Sequence, residues 1–484
     1  MRVLENIQPA DVFKYFEEIS NIPRGSGNTK KISDYVANFA KERNLKYIQD
    51  EYNNVVIYKN ASNGHEDRET VILQGHMDMV CEKEPGYDID FINDGLTLEL
   101  NDGVISAKGT TLGGDDGIAV AYMLAILNSD EYEHPDLECV FTVDEEIGML
   151  GAAAMDMSVL KGKNMINLDS EDEGYMLVSC TGGMTSTVHI PYQKEENTQG
   201  EYEFVVSGLL GGHSGVEIDK GRANSNMILG RALYEMSKIA GSMRIVSIQG
   251  GLKDNAIPNR SKATIKLDKE DADKCKEIVK TLNVILKNEY KITDQDIDVS
   301  IKDDISCGTF AMDKLSTKRM ITALVNIPNG IQKMSFDIEN LVETSLNLGI
   351  LKMEPEKNEV TMSFSVRSSM ESEKHEMANK LQCLAEALGG YLENAGEYPA
   401  WEYKEESPLR ELMVKTFKEQ YGYEPVVQAI HAGVECGLFA GQIQGFDAVS
   451  IGPDMKDIHT PKECMMVDSV DRTWKYLLKV LEKI

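Results

Sequence analysis

The chain has no Cys-x-x-Cys pair, no apolar run long enough to cross a bilayer, and no excess of basic residues. It also lacks a serine or cysteine nucleophile elbow, which argues against a covalent acyl-enzyme hydrolase of that type. Its cysteines, Cys81, Cys139, Cys180, Cys275, Cys307, Cys383, Cys436 and Cys464, are scattered. Without dense or paired spacing they read as free thiols in a reducing compartment, not as disulfides or a thiolate zinc site. The opening Met1-Arg2-Val3-Leu4-Glu5-Asn6 carries no apolar signal core, so a cytoplasmic location is expected. Acidic residues outnumber basic ones 80 to 50, for a formal charge of -30. Such a surface repels phosphate backbones and anionic lipid, so neither nucleic acid nor membrane is expected as a partner.

At 484 residues, 42% of them hydrophobic and 27% charged, the chain is long enough for two or three globular domains. Val12, Phe13, Tyr15, Phe16 and Ile19 predict a helix that closes at Ile22-Pro23, and Ile32, Val36 and Phe39 predict a second. Asn54 to Tyr58, Val71 to Gln74, Leu137 to Val143 and Asn164 to Leu168 read as strands. Leu96 to Leu100 and Val104 to Ser106 flank Asn101-Asp102-Gly103, a hairpin signal. Ile118 to Leu127 is apolar nearly all round, which predicts a buried helix. This order implies an α/β domain, a mostly parallel mixed sheet with helices on both faces. From residue 184 to 396 the pattern changes to amphipathic strands and exposed helices, an inserted α+β domain. Residues 1–183 and 397–484 are then two parts of one catalytic domain.

Five segments stand out: Gly75-His76-Met77-Asp78, Gly114-Asp115-Asp116-Gly117, Asp144-Glu145-Glu146, Asn167-Leu168-Asp169 and Asp457-Ile458-His459. Most close an apolar run, where an α/β sheet presents side chains to a site. Each has a bland alternative. Asp115 and Asp116 suit a helix N-cap, and Glu145 and Glu146 suit a solvated turn. Taken together they supply imidazole and carboxylate donors without thiolate, a set suited to catalytic zinc, manganese or cobalt. The surplus over one zinc is accounted for by two metals sharing a carboxylate. His76 and Asp78, two apart, share a side of an extended segment, so Asp78 can orient the imidazole. On a strand end Glu145 and Glu146 point apart, so one can bind metal while the other stays free as a base. His213 sits in a glycine-rich loop, Asn255 in a turn, and Arg367 ends a strand where it can grip a carboxylate or pair on the surface. His65, His134, His189 and His375 show no partners in the sequence and read as non-functional.

The segments Ile22-Pro23-Arg24, Gln74 to Val80, Thr110 to Gly117, Thr142 to Gly148, Asn167 to Glu171, Gly211 to Gly215, His431 to Gly437 and Ile458 to Pro461 together resemble the co-catalytic zinc peptidases. That family includes aminoacylases, carboxypeptidases, tripeptidases and dipeptidases, and the resemblance extends over nearly the whole chain. It implies that Asp115 bridges two zinc ions, with His76 and Asp169 completing one and Glu146 and His459 the other. It implies Asp78 as orienter and Glu145 as general base. It further implies that the inserted domain is a lid whose His213, Asn255 and Arg367 contact substrate, with Gly433 offering a backbone contact. A homodimer follows, in which His213 reaches the partner's site. The implied reaction is hydrolysis of dipeptides of the Xaa-His type, such as β-Ala-His. The alternatives are an N-acyl amino acid amidohydrolase of the same fold and a non-catalytic peptide-binding relative. The family commonly has alanine where Gly114 stands, a mild departure.

Overall fold

A computed structural model describes residues 2–303 and 308–484. Cys307 lies outside the described residues; the seven other cysteines form no disulfide among the described residues. The chain divides into two compact units. Unit 1 comprises Met1–Cys180, Tyr403–Ala429 and Val434–Ile484, and unit 2 comprises Thr181–Glu402 and Ile430–Gly433.

Unit 1 is built on an eight-stranded mixed sheet. Its order is Lys46–Gln49, Val55–Lys59, Leu137–Thr142, Val71–His76, Asn164–Asn167, Asp447–Ser450, Tyr175–Cys180, Val426–Ile430. The four strands from Leu137–Thr142 to Asp447–Ser450 run parallel, and antiparallel neighbours flank them. Leu137–Thr142 and Val71–His76 are buried at every position. That burial is why they carry consecutive apolar residues, Cys139-Val140-Phe141 and Val71-Ile72-Leu73, in place of strict alternation. The Gly114–Asn128 helix, buried from Gly114 to Leu127, packs on this sheet together with Ala10–Ser20. Leu98–Asn101 and Val104–Ala107 form the expected hairpin, with Asp102 and Gly103 both at positive φ, as a type I′ turn requires. Ser407 caps the Pro408–Tyr421 helix by accepting from Arg410 N at 3.0 Å, and proline sits at its first turn, where no donor is lost.

Unit 2 carries a nine-stranded sheet whose described pairings are all antiparallel. Its helices Ser225–Ser237, Lys269–Glu289, Lys314–Asn326 and Glu371–Ala387 bury apolar stripes into one core. All four of the histidines read as partnerless have partners, His134 Nδ1 lying 2.7 Å from Pro135 O. His65 meets Glu133, His189 meets Glu359 and Glu393, and His375 meets Glu371 and Glu397. All of these carboxylates but Glu371 lie on other segments, beyond the reach of local pattern. Among the described residues no helix is long and apolar enough to cross a membrane.

Candidate metal centre

Register brings the acidic segments of unit 1 together. His76 ends its strand opposite Thr142, and Gln74 lies opposite Asn167 on the other side. The chain therefore leaves three adjacent parallel strands at one edge, carrying His76, then Glu145 and Glu146, then Asp169. The strand before Glu145 stops at Thr142, and Asp144 turns the chain at φ 55. The turn, not strand alternation, thus separates the directions of Glu145 and Glu146. His459 lies in a loop after the fourth parallel strand. It adopts φ 61, a region few non-glycine residues occupy, and such strain persists where the surroundings fix it.

Asp115 stands at the centre. Its Oδ1 lies 3.0 Å from His76 Nε2, and its Oδ2 lies 3.0 Å from His459 Nε2. Glu146 Oε2 is also 3.0 Å from His459 Nε2, and Asp169 Oδ1 is 3.6 Å from His76 Nε2. Neither Asp115 nor Asp116 caps the helix. The N-cap position is Gly113, at φ 63, and no side chain caps the helix there. Asp116, to which the sequence reading gave no separate role, is fully buried and accepts from the His76 amide through Oδ2 at 3.1 Å. Asp78 receives Ser26 Oγ at 2.8 Å and the amides of Glu145 and Glu146 at 3.1 and 3.4 Å. Its Oδ1 is 3.4 Å from His76 Nδ1, so it faces the far ring nitrogen.

Charge is concentrated here. Asp115, Asp116, Glu145, Glu146 and Asp169 surround two imidazoles. Burial pushes Asp169 up to about 6 against the pull of His76. Burial likewise raises Glu145, opposed by His76 and reinforced by Asp169. Asp116 is raised by burial and by Asp169. His459 is pushed up to about 11 by its bonds to Asp115 and Glu146. Asp115 is held below the usual carboxylate range because His459 and His76 outweigh its burial. Glu146 Oε1 and Asp116 Oδ1 are buried without hydrogen-bond partners. Ligand atoms converge in three sets: His76, Asp116 and Asp169; His76, Glu145 and Glu146; Asp115, Glu146 and His459. Uncompensated buried anions, orphaned oxygens and an oxygen–imidazole donor set all suit divalent cations.

A second missed carboxylate is Glu435. It is fully buried and accepts from Gln74 Nε2 at 2.5 Å and Thr142 Oγ1 at 2.6 Å, while Asn167 Nδ2 donates to Gln74 at 2.6 Å. Burial raises it to about 8. It belongs to the His431 to Gly437 segment, but its partners Gln74 and Thr142 lie far away in sequence.

The other four predicted site residues lie in unit 2. Gly212–His213 pairs with Ala256–Ile257, and Ser214 N donates to Asn255 O at 2.9 Å, which brings His213 beside Asn255. His213 Nδ1 accepts from the amides of Gly215 and Val216, both at 3.2 Å, leaving Nε2 as the ring's outward donor. Arg367 donates to the Tyr398 hydroxyl at 3.0 Å. A side chain at Gly433 would meet the same Tyr398 ring at 2.6 Å. His431 Nε2 lies 2.7 Å from Ser345 Oγ. Burial, then the nearby Arg367, lowers both His213 and His431, the latter to about 3.

Residues 72–483 match peptidase family M20/M25/M40. The cytosol non-specific dipeptidase of Escherichia coli K12 is 34% identical over 486 aligned residues, covering 100% of this chain and 99% of that protein. The crystal structure of aminoacylhistidine dipeptidase from Vibrio alginolyticus superposes with a TM-score of 0.91 at 34% identity, covering 99% of this chain and 98% of that one. A tripeptidase from Staphylococcus aureus shares the fold at 16% identity and a TM-score of 0.55, covering 99% and 98% of the two chains.

Proposed function

The chain belongs to peptidase family M20/M25/M40, and we propose that it is a metal-dependent dipeptidase that cleaves Xaa-His and other dipeptides. Two full-length relatives, each 34% identical, are named for dipeptide hydrolysis. The observation that carries the assignment is the Asp115 carboxylate, with one oxygen toward each of two imidazoles. In this reading Asp115 would help hold both of two divalent ions, with His76 and Asp169 supplying the other ligands of one and Glu146 and His459 those of the second. Zinc is the first choice, and manganese or cobalt suit the same donors.

When bound, the ion pair supplies a water of lowered pKa and positive charge beside the amide oxygen. Glu145 accepts the proton of the attacking water and returns it to the leaving amine. Asp78 keeps His76 oriented through the far ring nitrogen. Unit 2 acts as the substrate lid. Arg367 and Asn255 hold the terminal carboxylate of the dipeptide, Gly433 offers its backbone, and His213, neutral at pH 7, donates to the developing oxyanion. A homodimer, in which His213 serves the partner's site, completes the proposal.

Metal analysis of the purified protein, coupled to a panel of Xaa-His dipeptides, other dipeptides, tripeptides and N-acyl amino acids, tests the assignment. Two ions per chain and preferential dipeptide cleavage are expected. Glu145→Gln is expected to keep both ions while kcat falls about 10²- to 10⁴-fold, the usual worth of a general base. Full turnover in that variant, or no dipeptide cleavage by metal-replete protein, would sink it. Cleavage of N-acyl amino acids alone would transfer the assignment to amidohydrolysis.

A further inference from the structure

Two buried charges outside the ligand set bracket the segment that carries Asp115. Glu463 is 2% exposed. Its Oε2 accepts from Leu112 N at 2.8 Å and Gly113 N at 3.0 Å, and its Oε1 from Gly114 N at 2.8 Å and Asp115 N at 3.4 Å. Four consecutive amides converge on one carboxylate, an arrangement that successive backbone donors make for anions. Gly113, at φ 63 and ψ 34, and the non-helical Asp115 and Asp116 give the backbone that curvature. On the carbonyl side stands Arg24, 1% exposed. Its Nη1 donates to Met77 O and Asp78 O at 3.0 Å each, and its Nη2 donates to Gly113 O. Side chains at Gly113 or Gly117 would meet that Nη2 at 2.5 or 2.6 Å, so glycine makes room for the guanidinium.

The connectivity is informative. Glu463 follows His459 by four residues, so its carboxylate ties the His459 segment to the Asp115 segment. Arg24 ties the same Asp115 segment to the backbone just after His76. The segments of Asp115, His76 and His459 are thus tied together through two side chains that belong to none of the ligand sets. A buried pair serving stability alone would need only each other. These two spend their hydrogen bonds on the backbone of the ligand-bearing loops.

We propose that Glu463, braced by Arg24, is a positioning residue that holds Asp115 between the two imidazoles and so sets the metal affinity of the centre. The inference rests on the two-metal reading above. Glutamine at 463 has one acceptor oxygen and turns a donor toward two amides. Glu463→Gln is therefore expected to weaken metal binding by roughly 10- to 100-fold, the usual effect of altering a group that orients ligands. The loss is read by competition against a chromophoric zinc chelator. Saturating zinc is expected to restore most of kcat with KM unchanged. Glu463→Asp keeps the charge one carbon short, so a smaller loss is expected, and it decides the matter if the glutamine variant does not fold. Wild-type zinc affinity in either folded variant overturns the inference, even if its melting temperature falls. Wild-type protein that binds no zinc would instead overturn the two-metal reading itself.

Discussion

Gly75→Ala puts the packing behind the metal centre to a direct test. A methyl group there would lie 2.5 Å from Ala119 Cβ and 2.5 Å from Asp116 Oδ2. Carbon atoms pack favourably at about 3.5–4.0 Å, so roughly 1 Å of overlap must be relieved. Neither side yields easily. The Val71–His76 strand is paired on both edges, and the helix bearing Ala119 is buried all round. The cost should fall at about 1–3 kcal/mol, the range for overpacking a well-filled core. The second contact adds a functional effect. Asp116 Oδ2 holds the His76 amide, and displacing it moves Asp115 next door. Trp474 offers a local probe, since it stacks on Tyr122 of the same helix at 5.7 Å. The other tryptophan, Trp401, lies in unit 2 and can be replaced by phenylalanine to isolate the signal. With a urea slope of about 3 kcal/mol/M, the midpoint should drop by about 0.3–1 M, and zinc affinity should fall with it. Gly241→Ala, with open space and no positive φ, serves as a control expected to change little. An unshifted midpoint with unshifted zinc affinity in Gly75→Ala would refute the claim that this helix cannot give way.

Chelation should lower the midpoint reported by Trp474, and re-adding zinc should restore it, because a ligand bound only to the folded state stabilises by about 2.7 kcal/mol at a hundred times its Kd. A midpoint indifferent to chelator would mean that no cation is held there. His431 gives a pH prediction. Burial and Arg367 lower it from 6.5 to about 3, so below pH 6.5 the unfolded chain takes up a proton that the folded ring refuses. Stability should therefore decline as pH falls from about 6.5 toward 3, by on the order of 3 kcal/mol between pH 7 and 4. His431→Gln, which keeps a polar group toward Ser345, should show a shallower decline than wild type, and parallel curves would refute the assignment.

Much of unit 1 was legible because its central strands are buried on both faces. Val71 to Leu73, Cys139 to Phe141 and Met165-Ile166 are apolar runs within these strands, and each strand leads to a charged or imidazole side chain. Unit 2 hid more. The Val342–Glu354 strand and the Lys314–Asn326 helix were not foreseen. In that strand Glu343, Thr344, Ser345 and Asn347 are all buried, so polarity does not alternate with exposure. The structure makes this tolerable through long-range bonds, as where Asn347 Nδ2 donates to Asp254 O and Ala256 O at 3.0 and 2.9 Å. Arg24 and Glu463 were opaque for the same reason. Glu463 meets Leu112 across 351 residues, and no local pattern distinguishes a buried anion of that kind from the many acidic residues on the surface.

The placement of Asp115 follows from the geometry of the sheet. Adjacent strands lie about 4.8 Å apart, and side chains leaving their ends begin with at least that separation. Strand ends can supply His76, Asp169 and the turn that carries Glu146, but each begins in its own column. A carboxylate that faces two imidazoles at 3.0 Å on both sides must approach from across the edge. The start of the Gly114–Asn128 helix does so, and its irregular backbone at Asp115 and Asp116 departs from helical geometry where the site requires it. That departure leaves consecutive amides without helical partners, in a buried place. Glu463 accepts from those amides, and Arg24 joins Gly117 N on the Gly113 carbonyl. Asp115 and its bracing are therefore one construction: a loop free to aim this carboxylate is a loop whose backbone amides must be satisfied from elsewhere.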